Sequence, residues 1–231
     1  MISRSTYVDG PYDSFVLKKA IKLLPKGFIR ETLIDVGANI GTVSIPAIKD
    51  GFFKKSIAFE PNPKIYNILK INIFLNHLNK KIIPLDFCLS SKNNDNLSFK
   101  MSNTNYGDTR FNKDNKNNSF PTNKVKKLDS FLKLVNPLKT LIKIDVQGFE
   151  PEVLLGSKFF LTFKPPLILE LDPIIINKDN FMKMLDLIKK NYTNFFDLNE
   201  INSKRNNVIY LENLFFRLKK SKKLSNILIL K

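Results

Sequence analysis

The sequence predicts an α/β protein, a three-layer sandwich on a mainly parallel sheet, and three observations carry that prediction. Apolar runs of strand length alternate with longer segments of helical periodicity, the pattern of strands joined by crossover helices that cover both faces of a sheet. Between the last two strand-like runs lies only the short polar stretch Asn199 to Asn207. That is too short for a crossover, so these two strands are expected to close the sheet as an antiparallel hairpin. Where the first strand ends, Asp35-Val36-Gly37-Ala38-Asn39-Ile40-Gly41 places an acid and two glycines ahead of a helix. Such a loop lets a ligand approach the backbone at the carboxyl edge of the sheet.

Taken in order, residues 32–36 read as the first strand, and a helix is expected from about Gly41 to Lys49, with Pro46 an awkward occupant beyond its first turn. Residues 56–60 form the second strand. Asn62 and Pro63 then supply an N-cap and a proline at the first helical position, and Ile65, Ile68, Ile71, Leu75 and Leu78 make the stripe of the following helix. Lys81 to Leu89 is the third run. Leu141 to Val146 and Leu167 to Leu171 are the fourth and fifth, separated by a helix through Pro151 to Phe160. A helix over Phe181 to Lys190 precedes the two closing strands, near Asn194 to Leu198 and Val208 to Leu211. The whole chain, 1–231, reads as a single domain with a helical lead-in over about 1–30, an Asn/Lys-rich excursion over 91–127 and a basic tail over about 212–231. The excursion is either a disordered loop or a small hairpin over one end of the sheet. The tail, with Lys219, Lys220, Lys222 and Lys223 ahead of Leu224 to Leu230, reads as a docked terminal helix with a solvated face; the alternative is a membrane-surface helix.

At 231 residues such a chain buries about 70–75% of its unfolded surface and needs neither disulfides nor metals to fold. The single cysteine, Cys88, excludes a disulfide framework and fits a reducing compartment. No apolar stretch reaches membrane-spanning length, and the first residues lack the apolar core of a signal peptide. A soluble, cytoplasmic protein is expected. Lys and Arg number 38 against 21 acids, a net charge of +17, which suits anionic substrates or nucleic acid. Only five of these cations are arginine, however, and 27 asparagines accompany the lysines. That composition follows AT-rich codons and weakens the inference from charge to a nucleic-acid partner, which stays open but is not favoured.

The loop after the first strand is not a phosphate-binding Walker loop, because no Gly-Lys-Ser/Thr follows, and its glycines miss the G-x-G-x-x-G dinucleotide spacing. Asp35 would repel a pyrophosphate but could accept a hydrogen bond from an ammonium group; its alternative role is that of a capping acid in a tight turn. Glu60 ends the next strand, where an acid meets the two hydroxyls of a ribose, or else caps the helix beyond Pro61. An adenosine bearing an amino-acid end satisfies both acids, and S-adenosylmethionine is such a ligand. In Leu141-Ile142-Lys143-Ile144-Asp145-Val146-Gln147-Gly148-Phe149-Glu150, Lys143 and Asp145 interrupt a strand that should be continuously apolar. They form either an ion pair within the sheet or, with Asp145 at the mouth of the site, a base or acceptor-orienting group. Glu170 interrupts the next strand in the same way. Glu150 and Glu152 flank Pro151 at a helix start, where the macrodipole explains them. His77 has no companion ligand and reads as structural, Cys88 as packing, and no metal site is expected.

These segments resemble the FkbM-type methyltransferases. The resemblance is carried by Asp35 to Gly41, Ala58-Phe59-Glu60-Pro61, Leu89-Ser90-Ser91, Leu128-Asp129-Ser130-Phe131-Leu132, Lys143 to Glu150 and Val153-Leu154-Leu155-Gly156 ahead of Glu170. It implies the class I methyltransferase fold, a seven-stranded Rossmann-like sheet ending in a reversed hairpin. It also implies methyl transfer from S-adenosylmethionine to a hydroxyl of a sugar, in a glycan, or of a secondary metabolite. By the same resemblance Asp35, Gly37, Ala38, Asn39 and Gly41 contact the cofactor, Glu60 binds the ribose, and Asp86 and Phe87 lie beside the adenine. Asp145, Glu170 and Lys143 are the catalytic candidates. The chain departs from the family pattern at Gln147, where Glu is common, which removes a charge beside Asp145 and weakens a metal-ligand reading. It also departs at Asp172 and across 91–127. An RNA or protein methyltransferase, or an inactive binding module of the same fold, is the alternative; an NAD-dependent oxidoreductase is disfavoured by the glycine spacing.

Overall fold

The computed structural model describes residues 12–93, 97–101, 109–112, 119–122 and 124–231. A parallel run of β1 (Thr32–Val36), β2 (Lys55–Phe59), β3 (Ile82–Leu85), β9 (Thr140–Ile144) and β10 (Leu167–Leu171) forms most of an eight-stranded sheet, joined by β11 (Asn194–Asp197), β12 (Asn206–Asn207) and β13 (Ser225–Leu230), in the order β12-β11-β13-β10-β9-β1-β2-β3. The chain steps outward from β1 through β2 to β3, then crosses back to place β9 and β10 on the other side of β1. The β1–β9 boundary is therefore the switch point, where loops leave the carboxyl edge in opposite directions and open a crevice.

Strands buried on both faces must be apolar throughout, and the two faces carry two cores. Ile34, Val36, Ile142, Ile144, Leu167 and Leu169 meet α4 (Glu150–Leu155), α6 (Lys178–Asn191) and α7 (Leu211–Ser221). Leu33, Ala58, Leu141 and Ile168 meet α1 (Tyr12–Leu23), α2 (Ser44–Lys49) and α3 (Pro63–Leu75). The three layers are those expected from the alternation of strands and helices.

Several expectations need correction. The sheet has eight strands rather than seven. The expected closing hairpin survives only as a two-residue pairing of β11 (Asn194–Asp197) with β12 (Asn206–Asn207); Val208–Tyr210 turns as a 3-10 helix and runs into α7. The strand that reverses the sheet comes from the tail. β13 (Ser225–Leu230) is buried throughout and pairs antiparallel with both β10 and β11. Lys219 and Lys220 close the last turn of α7, which is capped by Lys222 in the left-handed conformation (φ 52°), so the apolar run beyond is free to enter the sheet. The helix after the glycine loop begins at Ser44, which puts Pro46 inside its first turn, where a missing N–H costs no intrahelical bond. The helix expected through Pro151 to Phe160 is interrupted at Gly156, and α5 (Lys158–Leu161) follows as a separate turn. The run Lys81 to Leu89 likewise divides: β3 stops at Leu85, and β4 (Cys88–Leu89) pairs with β8 (Val125–Lys126) outside the main sheet. Within the Asn/Lys-rich excursion the described residues form a small antiparallel sheet, with β5 (Leu97–Met101) flanked by β6 (Thr109–Asn112) and β7 (Ser119–Thr122). No helix of the described residues is long and apolar enough to cross a membrane.

Candidate active site

The carboxyl edge of β1, β2 and β3 is shaped by backbone. Beyond β1, the amides of Gly37 and Ala38 donate to the Phe59 carbonyl at 3.0 and 2.9 Å, fastening the glycine loop to the end of β2. Gly37 has φ +82°, and a Cβ there would lie 1.9 Å from the Asp145 carbonyl oxygen, so only glycine lets the loop cross so close to the end of β9. Asn39 takes the left-handed conformation (φ 51°), and its side chain accepts from the Ile40 amide at 2.8 Å. Gly41 seats the loop on Ile45 and Leu69.

Glu60 joins the pieces. One carboxylate oxygen accepts from the Asn39 amide at 3.0 Å, the other from the Asn62 amide at 2.9 Å. Burial, opposed in part by these two amides, raises its pKa to about 7. Each oxygen keeps a lone pair beyond the one in use, so the carboxylate can still receive hydroxyl donors. Of the two roles the sequence left open, the contacts with the Asn39 and Asn62 amides are those of a capping acid at the strand end. Asp35 lies lower. It is fully buried, accepts from Ser44 Oγ at 2.7 Å, and stands beside Lys143 in the β1–β9 register. Its carboxylate braces β1 against α2 beneath the loop. Asp86 follows β3, whose Leu85 carbonyl receives the Glu60 amide at 3.0 Å; its carboxylate pairs with Lys124. Phe87 packs edge-on against Phe131, which in turn packs edge-on against Phe59, with centroids 5.4 and 4.9 Å apart.

Across the switch point the edge is made of charged side chains. Lys143, 3% exposed, donates to Asp145 Oδ2 at 3.2 Å. Gln147 Nε2 reaches both Asp145 Oδ1, at 3.2 Å, and Glu170 Oε2, at 3.4 Å. Gln147 (φ 54°) and Gly148 (φ 95°) turn the chain sharply, and Glu150 Oε1 accepts from the amides of Val146 and Gly148 at 2.9 and 3.3 Å to hold that turn. Burial, then the neighbouring charges of Asp145 and Glu150, raises Glu170 to about 9; burial raises Glu150 to about 7. Lys143, Asp145 and Glu170, singled out in the sequence, are thus brought together. Glu150 and Gln147 join them, and sequence reasoning missed both. The sequence reading gives Glu150 to the helix macrodipole, although an acid six residues beyond the end of β9, behind a glycine, is the signal of a carboxylate turned back on its own loop. Glu152, its neighbour, instead accepts from Ser91 Oγ. Among the remaining conspicuous residues, His77 is exposed in a left-handed turn after α3, and Cys88 is buried.

Two further contacts hold the frame. Asp129 accepts from the amides of Phe159 and Phe160 at 3.0 and 2.8 Å, capping α5. Gly156 lies so near the Ser90 carbonyl that a Cβ would come within 2.0 Å of it.

The family model described as "Methyltransferase FkbM domain" matches residues 35–209, well over half of the chain. The chain belongs to the FkbM methyltransferase family. No curated protein gives a significant sequence match. Among solved structures, the StiE O-MT (residues 961–1257) superposes with a TM-score of 0.53 at 12% identity, covering 99% of this chain and 78% of that one. The fibrillarin/Nop5p complex gives 0.50 at 16% identity over 96% of this chain and 82% of that one. TYW2 of M. jannaschii, solved in complex with AdoMet, gives 0.45 at 14% identity over 95% and 74%. The first two likenesses show a shared fold. This FkbM protein is a methyltransferase, and S-adenosylmethionine is its cofactor. The residues present suit that group: an acid at the end of β2 with lone pairs to spare, and a glycine loop whose amides and carbonyls line the same edge.

Proposed function

We propose that this methyltransferase transfers the methyl group to a hydroxyl oxygen of a sugar, in a glycan or a secondary metabolite. The observation that carries the reading is the Lys143–Asp145 pair at the mouth of β9, in contact with the glycine loop through Gly37. The bound cofactor supplies an electrophilic methyl on a sulfonium. Gly37, Ala38, Asn39 and Gly41 shape the loop on which it lies, Glu60 accepts from its ribose hydroxyls, and Phe87 flanks its base with Asp86 beside it. Asp35 acts from below, holding the loop in place. Asp145 accepts the hydroxyl proton as the acceptor oxygen attacks. It is the carboxylate nearest the loop, whereas Glu170 lies one strand further out and orients the acceptor through Gln147. Lys143 keeps Asp145 aimed through their ion pair. Positioning of the oxygen against the methyl carbon supplies much of the rate.

The whole chain acts as one methyltransferase domain, supported by a sheet that takes strands from both ends of it. A cytoplasmic setting fits the lone buried cysteine. The second reading, methylation of RNA, is favoured by the +17 charge. Incubation with cofactor labelled in the methyl group and with glycan, RNA and protein acceptors tests the proposal. Label recovered from glycan as an alkali-stable methyl ether is expected. Label released by ribonuclease, from a complex whose affinity falls steeply with salt, would replace it with the RNA reading.

A further inference from the structure

The carboxyl edge between β9 and β10 gathers more carboxyl groups than proton transfer needs. An oxygen of each of Asp145, Glu150 and Glu170 lies within 4.8 Å of the others. Glu150 is 1% exposed, and while its Oε1 holds the Val146 and Gly148 amides, its Oε2 is buried with no hydrogen-bond partner among the described residues. A buried carboxylate oxygen left in this state is costly unless a positive centre meets it. The amide nitrogen of Gln147, placed between Asp145 Oδ1 and Glu170 Oε2, marks the gap between those carboxylates as a place that accepts positive charge.

We propose that Asp145, Glu150 and Glu170 hold a divalent cation of the oxygen-preferring class, magnesium, calcium or manganese(II), at the carboxyl edge between β9 and β10. The donors are all carboxylate oxygens, the set such hard ions take, and neither His77 nor Cys88 is near enough to supply the nitrogen or sulfur that zinc or copper would recruit. Two oxygens on opposite sides of one ion lie about 4.8 Å apart around calcium and about 4.2 Å apart around magnesium, so carboxylate oxygens that all lie within 4.8 Å of one another suit an ion of this class. The carboxamide of Gln147, turned over, offers a fourth oxygen. Three protein ligands leave coordination positions open to water or to an acceptor hydroxyl. A hydroxyl bound beside such an ion loses its proton more readily, which adds to the task given to Asp145. The site goes beyond the hydroxyl-transfer reading and stands on side-chain placement alone, so its test reads the ion directly.

The full-length protein, stripped of metal and titrated with manganese(II) near neutral pH, reports binding as loss of the paramagnetic signal of the free aquo ion. One ion per chain is expected, displaced by excess magnesium or calcium. Glu170→Gln and Glu150→Gln should each weaken binding about tenfold or more, with the unfolding transition retained. Glutamine at 150 can still accept from the loop amides through one oxygen; if that variant fails to fold, Glu170→Gln, at a less buried position, decides. Absence of a bound ion at millimolar manganese in folded protein would overturn the proposal. So would unchanged affinity in Glu170→Gln, because the ion would then sit elsewhere on the surface.

Discussion

On the β1–β2 side of the carboxyl edge, the site is backbone clasped by one acid: amides of residues 37, 38, 39 and 62 meet the Phe59 carbonyl and the Glu60 carboxylate. On the β9–β10 side it is side chain facing side chain, with Lys143, Asp145, Gln147, Glu150 and Glu170 within reach of one another. The first arrangement is tolerant of chemistry but intolerant of shape, because every contact depends on where the loop lies. The second is the reverse: the strand ends fix the positions, and the charges do the work. A ligand common to many reactions suits the first half, and an acceptor that must be deprotonated suits the second.

Substitutions that respect shape but remove charge should separate the two halves. Asp145→Asn is expected to lower turnover about 100- to 10,000-fold, the range for a lost general base, while the variant stays folded; turnover of the normal size would remove Asp145 from the chemistry. Gly37→Ala works in the opposite way. It changes no charge, yet its Cβ would meet the Asp145 carbonyl at 1.9 Å in a left-handed conformation. The loss should be about 3 kcal/mol or more of stability, read from denaturant unfolding, and the two halves should be pushed apart.

A smaller effect concerns pH. Glu60, raised by burial to about 7 from the ordinary carboxyl value of about 4.5, keeps its proton in the folded chain where the unfolded chain has lost it. Its contribution to stability is therefore full below pH about 4.5 and lost as pH rises through about 7, worth roughly 3 kcal/mol at about 1.4 kcal/mol per pKa unit. Melting temperature without ligand should fall more between pH 5 and 8 in the natural protein than in Glu60→Gln. Parallel curves would mean that Glu60 is already ionised when folded. Smallest is Asp129→Ala, which strips the cap from α5 at a cost of about 1 kcal/mol. It should leave affinity for S-adenosylhomocysteine, the demethylated product of the cofactor, untouched in both halves.

The backbone half was the more legible in the sequence. Glycines, a strand-ending acid and an Asn-Pro cap act through local geometry, and local geometry is what spacing encodes. Asp35 shows the limit: its position at the strand end was evident, but its burial against Ser44 comes from α2 folding back over it. The charged half was visible as interruptions, Lys143, Asp145 and Glu170 in apolar runs. The partnership of Glu150 depends on a turn at Gln147 and Gly148 with two positive φ angles, which no periodicity reveals. The same holds for the tail. Leu224 to Leu230 is apolar enough for a helix face or for a doubly buried strand, and the vacancy between β10 and β11 settles which.

The division of labour itself is open to a single calorimetric comparison: titration of S-adenosylhomocysteine into the natural protein, Glu60→Ala and Asp145→Asn, each shown to be folded. Binding should be lost or weakened about tenfold or more in Glu60→Ala, the equivalent of about 1.4 kcal/mol, and be unchanged in Asp145→Asn. Equal loss in both variants, or full binding by Glu60→Ala, would contradict a cofactor half and an acceptor half meeting at the β1–β9 switch point.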